Sequence, residues 1–423
     1  MKTLFINANI LSLESENGFV FGEVLVDNDT IKYVGINCPD KSNVDRVIDV
    51  KNNILMPGFV NAHAHSHMTL LRGCSSDVCL DEWLNDNIFP LEAQLTDEDI
   101  YYGTMLAIFE YLRAGITTVD EFYFDINGML KAFNETGYRA RVSISARRNL
   151  VTAEGMNEKL KIITSNDLLK PVITAHSVYL VSEEDLSLLI TFAKQNNLPV
   201  SIHLAETLKE VGDCTVEQNG LTPAQYLEEL GFFDREATCY HCVHMDKDDL
   251  NILSNYNVNV VTCPSSNIKL ASGIAPIHAM NNLDINVAIG TDGPASNDSL
   301  DMFKEMFLVA CLSKVTIHDP TAVDVKKVIS MATKNGAKAL GYDNIGEIKV
   351  GNKADLILVD TSKPHWQPKV NMLSHLVYSA KSSDVYLTMI NGNILFENDK
   401  INLKISENEI IEKVNNIYKR IKK

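Results

Sequence analysis

The sequence predicts an α/β fold built on a closed (β/α)8 barrel. Between Phe59 and about Leu340, short runs of β-branched and apolar residues alternate with longer amphipathic stretches. Such alternation is typical of a parallel sheet whose strands are joined by helices, and eight strand–helix units favour a closed barrel. A doubly wound open sheet is the alternative, although no GxGxxG sequence opens a first strand–helix unit. The eight runs are Phe59–Asn61, Thr117–Val119, Arg141–Ile144, Val172–Ala175, Val200–Ile202, Thr238–Val243, Val258–Cys263 and Val287–Gly290.

Two of the stretches between these runs have clear helix boundaries. Thr96 precedes three acidic residues, and Gly115 follows the last apolar residues, which predicts a helix capped at both ends. Ser182 opens a second segment in the same way, and this segment ends near Asn196 and Asn197. Both segments lie between predicted strands, as the alternation requires.

The sequence pattern at both ends of the chain differs from the pattern in the barrel segment. Residues 1–56 contain short β-branched or alternating runs separated by turn residues, which predicts a small antiparallel sheet. Strand-like sequence returns beyond Gly341, at Lys353–Asp360 and Val385–Asn393. We therefore expect residues 1–56 and 350–400 to form one small β domain beside a barrel of residues 57–349, and residues 401–423 to contain a charged surface helix.

The amino-acid composition limits the classes of molecule that the protein can bind. The chain has 423 residues, and its 38 Lys and Arg against 55 Asp and Glu give a net charge of −17. This balance argues against nucleic acid and against anionic membranes, because both require a basic surface. The N-terminus resembles no signal peptide, and no apolar run approaches the roughly 20 residues of a membrane helix. The eight scattered cysteines fit a reduced, cytoplasmic protein, and the composition is compatible with a homo-oligomer.

Polar residues that can bind a metal follow five of the predicted strands. An apolar run beginning at Pro57 leads into His63 and His65, which alternation places on the same face of the first strand. In a (β/α)8 barrel, the carboxyl ends of all strands meet at one mouth, where the chemistry takes place. A single histidine there is usually a hydrogen-bonded core residue, but five with an aspartate point to a shared site. The residues that end the fourth, fifth, sixth and eighth strands are His176, His203, His241 and Asp292.

Three imidazoles and one carboxylate suit a single divalent ion. We predict His63, His65, His203 and Asp292 as its ligands, with one position left for water. Zinc is the default ion for this donor set, and iron or manganese also fit. No lysine ends the fourth strand to bridge a second ion, which favours one metal over two. A divalent ion in such a site makes water acidic enough to attack a substrate at neutral pH.

Two further residues are placed for proton transfer. Glu206 follows His203 by three residues, just beyond the fifth strand, where it can move a proton between water and substrate. The competing interpretation is an ordinary carboxylate at a helix N-terminus, which the helix dipole favours. His241 can polarise the attacking water or stabilise a tetrahedral adduct, and His244 fits a supporting or surface position.

Taken together, these residues resemble the amidohydrolase superfamily along almost the whole chain. The resemblance is strongest to its 5′-methylthioadenosine/S-adenosylhomocysteine deaminase group, within the larger set that includes atrazine chlorohydrolase and guanine deaminase. It implies a distorted (β/α)8 barrel with a β-sandwich formed by both termini. It also implies hydrolytic deamination of adenine at C6, in which Glu206 protonates the ring nitrogen while His241 and Asp292 manage the water proton. The matching stretches are Pro57–His65, Leu70–Gly73, Glu82–Leu84, Thr174–Ser177, His203–Thr207, His241–His244, Ser266–Gly273, Gly290–Asn297 and Gly351–Leu356.

The same resemblance implies a set of substrate-binding residues. Trp83 and Glu92 would lie in the pocket, with Glu92 accepting hydrogen bonds from ribose hydroxyls, and His176 and Ser296 would contact the nucleoside. Without the resemblance, Trp83 is read as a core residue and Glu92 as the start of a helix. A substrate with an amino-acid tail needs an arginine for its carboxylate. The candidates near the third strand are Arg139, Arg141, Arg147 and, in the implied binding set, Arg148.

Three functional hypotheses follow from these residues. The first is deamination of thioether nucleosides related to adenosine. The second keeps the metal hydrolase but changes the substrate to guanine, a pterin, a triazine or another aminated heterocycle. The third is a non-catalytic protein with a hydrolase fold, which is disfavoured because all four predicted metal ligands are present.

Overall fold

The computed structural model describes residues 1–145 and 152–422, and its strands form two sheets. The strands of the first sheet are β1 (Lys2–Leu11), β2 (Phe19–Asp27), β3 (Thr30–Gly35), β4 (Arg46–Asp49), β5 (Ile54–Pro57), β14 (Leu356–Val359), β15 (Val385–Ile390), β16 (Asn393–Glu397) and β17 (Lys400–Ile401). The strands of the second sheet are β6 (Phe59–Ala64), β7 (Ile116–Glu121), β8 (Arg139–Ile144), β9 (Leu169–Thr174), β10 (Val200–Leu204), β11 (Ala237–His241), β12 (Asn259–Thr262) and β13 (Val287–Ile289).

The second sheet is the predicted barrel. Its eight strands follow one another in chain order from β6 to β13, and every neighbouring pair is parallel. A parallel bridge between Ala64 and Asp292 joins the carboxyl ends of the first and last strands. Each of the eight runs identified in the sequence overlaps one of these strands, so the barrel prediction is confirmed and the doubly wound alternative is wrong.

Helices connect the barrel strands and cover the outside. They are α1 (Leu80–Glu82), α2 (Phe89–Glu92), α3 (Asp97–Ala114), α4 (Asn127–Thr136), α5 (Ala153–Ile163), α6 (Glu183–Asn196), α7 (Leu208–Glu217), α8 (Pro223–Glu229), α9 (Lys247–Asn255), α10 (Pro264–Lys269), α11 (Ile277–Asn282), α12 (Pro294–Asn297), α13 (Met302–Ile317), α14 (Val325–Met331), α15 (Lys334–Ala339), α16 (Met372–Tyr378) and α17 (Glu407–Ile421). Shorter helical turns are Ser66–Leu71, Trp83–Ile88, Pro364–Trp366 and Ser382–Asp384. None of the helices within the described ranges has the length and apolarity needed to cross a membrane.

The two helix boundaries read from the sequence are confirmed. The Thr96 side chain accepts a hydrogen bond from the backbone of Asp99, whose side chain bonds back to Thr96, so α3 begins with a capping box. Gly115 ends α3 with φ of 75°, a left-handed conformation that glycine adopts without steric cost. Ser182 caps the N-terminus of α6 by accepting a hydrogen bond from the backbone N–H of Asp185, and Asn197, which is also left-handed, caps its C-terminus.

Strands from both ends of the chain form the other sheet, in the order β17-β16-β15-β14-β5-β1-β2-β3. The central contact pairs β5 with β14, so the N-terminal and C-terminal segments share one sheet as predicted. The expected antiparallel arrangement is only partly right, because both β4 and β5 run parallel to β1. The sheet has its own apolar core, which includes Phe5, Ile10, Val24, Leu356 and Met389.

Helix α17 packs back onto the barrel. It buries Ile410, Ile417 and Ile421, while its other face is exposed. Arg113 of α3 donates to Glu407 at 2.8 Å, and Arg420 pairs with Asp99 near the start of α3. The C-terminal helix therefore combines a charged outer face with an apolar seam against α3.

A buried ion pair connects the barrel to the terminal sheet. Arg139 at the start of β8 donates to Asp355 through Nε at 2.5 Å and Nη2 at 3.2 Å, and both side chains are almost fully buried. We expect Arg139→Met to lower the free energy of unfolding by about 3–5 kcal/mol, because it leaves the Asp355 charge buried without its partner. Urea unfolding measures this loss.

The exposed pair between Arg113 and Glu407 provides the control. Both of its side chains are more than one third exposed, so Arg113→Met should cost less than about 1 kcal/mol. Arg139→Met combined with Asp355→Asn should recover part of the loss, since it removes the uncompensated charge. Equal losses for Arg139→Met and Arg113→Met would contradict a structural role for the buried pair.

Candidate metal centre and active site

A cavity opens at the carboxyl end of the barrel strands. Its wall combines apolar side chains from the segment after β6 with polar side chains from the strand ends. Among the described residues, the predicted catalytic residues and the predicted substrate-binding residues other than the candidate arginines border this cavity. The polar lining is His65, Glu92, His176, His203, Glu206, His241, Asp292 and Ser296, and the aromatic lining is Trp83, Phe89, Phe122, Tyr123, Phe124 and Tyr179.

The predicted ligands converge at the cavity floor. Nε2 of His63 lies 3.4 Å from Oδ1 of Asp292, and Nε2 of His65 lies 3.3 Å from the same oxygen. His63 is completely buried beneath the cavity, which lowers its pKa to about 4. Burial opposes ionisation of Asp292, but its contacts with His63 and His65 hold the pKa of Asp292 well below its usual range. The group therefore contains a carboxylate facing imidazole nitrogens.

The outer nitrogens of two histidines are fixed by backbone carbonyls. Nδ1 of His65 donates to the carbonyl oxygen of Phe122 at 3.1 Å, and Nδ1 of His203 donates to that of His176 at 2.7 Å. A carbonyl only accepts hydrogen bonds, so each Nδ1 carries the proton and each Nε2 presents a lone pair. Nε2 of His203 lies 3.2 Å from Nε2 of His63. Inward-facing lone pairs held by carbonyl acceptors are the arrangement of histidine ligands around a cation.

Among the residues that the structure describes, two groupings of side chains are compact enough to hold a metal ion. His63, His65 and Asp292 form one, and His63, His203 and His241 form the other, with ligand atoms within 4.8 Å of one another in each. His63 belongs to both groupings. The donor set of imidazoles and one carboxylate, all buried, fits a divalent transition ion such as zinc.

The second oxygen of Asp292 is held away from the histidines. Oδ2 accepts hydrogen bonds from the hydroxyls of Ser266 at 2.6 Å and Ser296 at 2.9 Å. Asp292 has a left-handed backbone with φ of 60°, which is uncommon for a residue other than glycine. Because Oδ2 is fully engaged, Oδ1 is left to face His63 and His65.

Glu206 and His241 lie side by side at the edge of this group. Nε2 of His241 is 3.8 Å from Oε2 of Glu206, and Nδ1 of His241 donates to Oδ1 of Asn267 at 2.8 Å. Burial raises the pKa of Glu206, although the neighbouring His241 opposes this shift. A buried carboxyl group beside an imidazole, facing a cavity, is placed to exchange protons with a bound molecule.

The remaining residues expected to bind substrate line the same cavity. Trp83 is only 5% exposed, yet its ring borders the cavity, so it is both a core residue and part of the wall. Glu92 ends the short helix α2 instead of starting a helix, and its Oε1 pairs with Nε2 of His67 at 3.1 Å. His176 and Ser296 border the cavity near His203 and Asp292, respectively.

The arginine predictions need correction. Arg139 pairs with Asp355, and Arg141 lies inside the barrel, where its Nε donates to Asp120 at 2.8 Å. Neither borders the cavity, because both lie in the first half of β8 whereas the cavity is at the carboxyl ends of the strands. The prediction that either binds a substrate carboxylate is therefore wrong. Arg147 and Arg148 lie outside the described residues.

Sequence reasoning missed three residues that support the site. Asn267 lies within one of the motif stretches but was given no role, and it orients His241. His67 continues the alternation of His63 and His65, and it fixes Glu92. Glu210 binds the backbone at Glu206 from the first turn of α7. The motif stretch around Asn267 and the alternation that leads to His67 could have indicated these two residues. Glu210, in contrast, has the position of an ordinary helix-capping residue.

A model of the amidohydrolase family matches residues 54–395 of the chain. The chain belongs to the amidohydrolase family. Because the matched segment includes β6 to β13, it contains all of the cavity residues named above.

This amidohydrolase is similar over its full length to curated relatives. It is 39% identical over 433 residues to 5-methylthioadenosine/S-adenosylhomocysteine deaminase of Acetivibrio thermocellus, covering 100% of both chains. It is 38% identical to 5′-deoxyadenosine deaminase of Methanocaldococcus jannaschii, covering 95% of this chain and 98% of the relative. The crystal structure of an adenosine deaminase from Xanthomonas campestris with bound zinc matches with a TM-score of 0.93 and 33% identity, covering 99% of this chain and 98% of that one.

Proposed function

We propose that the chain is a metal-dependent hydrolase that deaminates the adenine ring of 5′-substituted adenosines. Its substrates would be 5′-methylthioadenosine, S-adenosylhomocysteine or related adenosines, which become hypoxanthine nucleosides with release of ammonia. The observation that carries this proposal is the position of Glu206 and His241, which share one cavity wall directly beside the His and Asp group. The names of the full-length relatives support the choice of a nucleoside over other amines.

One divalent ion would be held by His63, His65, His203 and Asp292, with zinc as the first candidate and iron or manganese as alternatives. When bound, the ion supplies Lewis-acid activation of water at neutral pH. The carbonyl oxygens of Phe122 and His176 keep two of these imidazoles in the tautomer that can bind a cation.

The chain's own residues would move the protons. The Glu206 carboxyl group donates a proton to the ring nitrogen next to C6, which makes C6 more electrophilic. His241 accepts a proton from the attacking water through Nε2, because its Nδ1 proton is committed to Asn267. Asp292, held by Ser266 and Ser296, assists this transfer with Oδ1. His241 then passes the proton that it accepted to the amino group, so the C6–N bond breaks and ammonia leaves. The proton of the hydroxyl group that becomes the C6 carbonyl returns to Glu206.

The nucleoside would be oriented by the upper wall of the cavity. Glu92 accepts hydrogen bonds from the ribose hydroxyls, and the contact between its Oε1 and Nε2 of His67 fixes the orientation of its carboxylate. Trp83 packs against the nucleoside, and His176 and Ser296 contact it near the cavity floor.

Ultraviolet turnover of purified, zinc-loaded protein tests the proposal. The substrates are methylthioadenosine, S-adenosylhomocysteine, adenosine, 5′-deoxyadenosine, adenine and guanine, with ammonia measured in parallel. We expect loss of adenine absorbance with the 5′-substituted nucleosides and none with adenine or guanine. Turnover of guanine alone would favour another aminated heterocycle. Protein that neither binds a divalent ion nor turns over any purine would instead indicate a non-catalytic role.

Replacing Glu92 tests the ribose contact. We expect Glu92→Gln to raise KM for methylthioadenosine about tenfold or more, since a hydrogen bond to a charged group is worth about 1.5–3 kcal/mol. The kcat value should change far less, because Glu92 is proposed to bind the ribose and takes no part in proton transfer. The control is the 2′,3′-dideoxy form of the substrate, for which wild type and variant should have similar KM values. A KM change of equal size for the dideoxy substrate would exclude the ribose contact.

A further inference from the structure

The turn that presents Glu206 is held by a second buried glutamate. Glu210 lies in the first turn of α7 and is only 4% exposed. Its Oε1 accepts a hydrogen bond from the backbone N–H of Ala205 at 3.0 Å, and its Oε2 accepts one from that of Glu206 at 2.8 Å. Both carboxylate oxygens therefore bind the two residues at the end of β10, from which the Glu206 side chain enters the cavity.

This turn has an unfavourable backbone conformation. Ala205 has φ of 48°, in the left-handed region that residues with a Cβ atom rarely occupy. Such a conformation persists only where surrounding contacts hold it. The hydrogen bonds from Ala205 and Glu206 to Glu210 are two such contacts.

The same turn is joined to the end of β11. The carbonyl oxygen of Ala205 accepts hydrogen bonds from the backbone N–H groups of Val243 at 3.1 Å and His244 at 2.9 Å. These residues directly follow His241 and Cys242, which are themselves left-handed. Contacts at Ala205 thus connect the backbone that carries Glu206 with the backbone that carries His241.

Glu210 does not share the cavity that Glu206 faces. It borders a neighbouring cavity, and Leu80, Tyr179 and Leu270 line both this cavity and the first. Burial raises the pKa of Glu210 to about 7, although the backbone hydrogen bond from Glu206 opposes this shift. A carboxyl group that is costly to bury, yet accepts two backbone hydrogen bonds, is expected where it sets local geometry.

We propose that Glu210 is a positioning residue, whose carboxylate fixes the backbone at Ala205 and Glu206 and thereby aims the Glu206 carboxyl group at the substrate. This role rests on the proposed function, because it acts through the proton that Glu206 donates. Glu210 touches neither the predicted metal ligands nor the cavity that would hold the nucleoside, so it should affect turnover and leave binding intact.

Glu210→Gln tests this role with little change in size. Glutamine presents one acceptor oxygen and one NH2 group, so one of the two backbone N–H groups loses its partner. We expect kcat for methylthioadenosine to fall about 10- to 100-fold, the scale on which a misplaced catalytic group loses rate. The metal content and the dissociation constant of the deaminated product should stay within about twofold of the wild-type values.

A combined variant separates positioning of Glu206 from a general loss of structure. In a Glu206→Gln background, Glu210→Gln should lower kcat by less than about threefold, because the group that it positions can no longer donate its proton. The control is Glu217→Gln, which changes an exposed glutamate at the end of the same helix and should behave as wild type. Independent, multiplicative losses in the combined variant would overturn the proposal.

Glu210→Asp keeps the charge but is one methylene shorter, so it cannot reach both amides. We expect a smaller loss of kcat with unchanged product binding. A wild-type kcat for Glu210→Asp would overturn the role, whether or not Glu210→Gln folds. Wild-type protein without turnover of any purine nucleoside would remove the proposed function and this role together. Active wild type with an unaffected Glu210→Gln variant would remove the role alone.

Discussion

Replacing Glu206 by glutamine should lower turnover of 5′-substituted adenosines by about 100-fold or more. The side chain keeps its size and its place beside His241, but an amide cannot supply the proton that the ring nitrogen needs. Proton transfer by a positioned group is worth about 10²–10⁴ in rate. Because Glu206 belongs to neither His and Asp grouping in the structure, the variant should bind as much metal as wild type.

Steady-state turnover and metal analysis of the same preparation check this prediction. The product should bind the variant with nearly unchanged affinity, since the loss concerns the transition state. The exposed Glu217→Gln variant is the matched control for loss of one negative charge. A Glu206→Gln variant with near-normal turnover would exclude Glu206 from the reaction. Loss of metal together with turnover would instead place Glu206 among the ligands.

The barrel could be predicted because its information is local. Each buried parallel strand is a short β-branched run, and helices such as α3 carry their own capping residues. The site followed from the same reasoning, since the carboxyl ends of parallel strands meet at one edge. Strand order alone was therefore enough to predict that His63 and Asp292, which are far apart in the sequence, lie close together, as they do in the structure.

The errors concern contacts that depend on distant parts of the chain. The direction of β4 and β5 relative to β1 depends on pairing across roughly 40 residues, which alternation cannot indicate. Alternation predicts that Arg139 and Arg141 share one face of β8, but it does not indicate how far each arginine lies from the carboxyl end of the strand. Glu210 fits the spacing of a capping box with Thr207, yet its carboxylate binds the residues before the cap.

Replacing His63 by alanine should remove both the metal and the activity. His63 is the only residue common to the two groupings found among the described residues, and its Nε2 contacts both Asp292 and His203. Without it, neither grouping keeps three donors, and the proposed set of four ligands loses its most deeply buried member. Metal analysis after dialysis should find far less than one ion per chain, with no measurable turnover. The control is His318→Asn, at an exposed histidine whose left-handed backbone asparagine tolerates.

Two further variants decide which grouping holds the ion. His65 belongs only to the grouping with Asp292, and His241 only to the grouping with His203. With the proposed ligands, His65→Ala should lose the metal, whereas His241→Ala should keep the metal and lose turnover, because it removes the acceptor of the water proton. The opposite result would make His241 a ligand and assign its proton-transfer role to another group. Full metal content and activity in His63→Ala would contradict both groupings, since each of them includes His63.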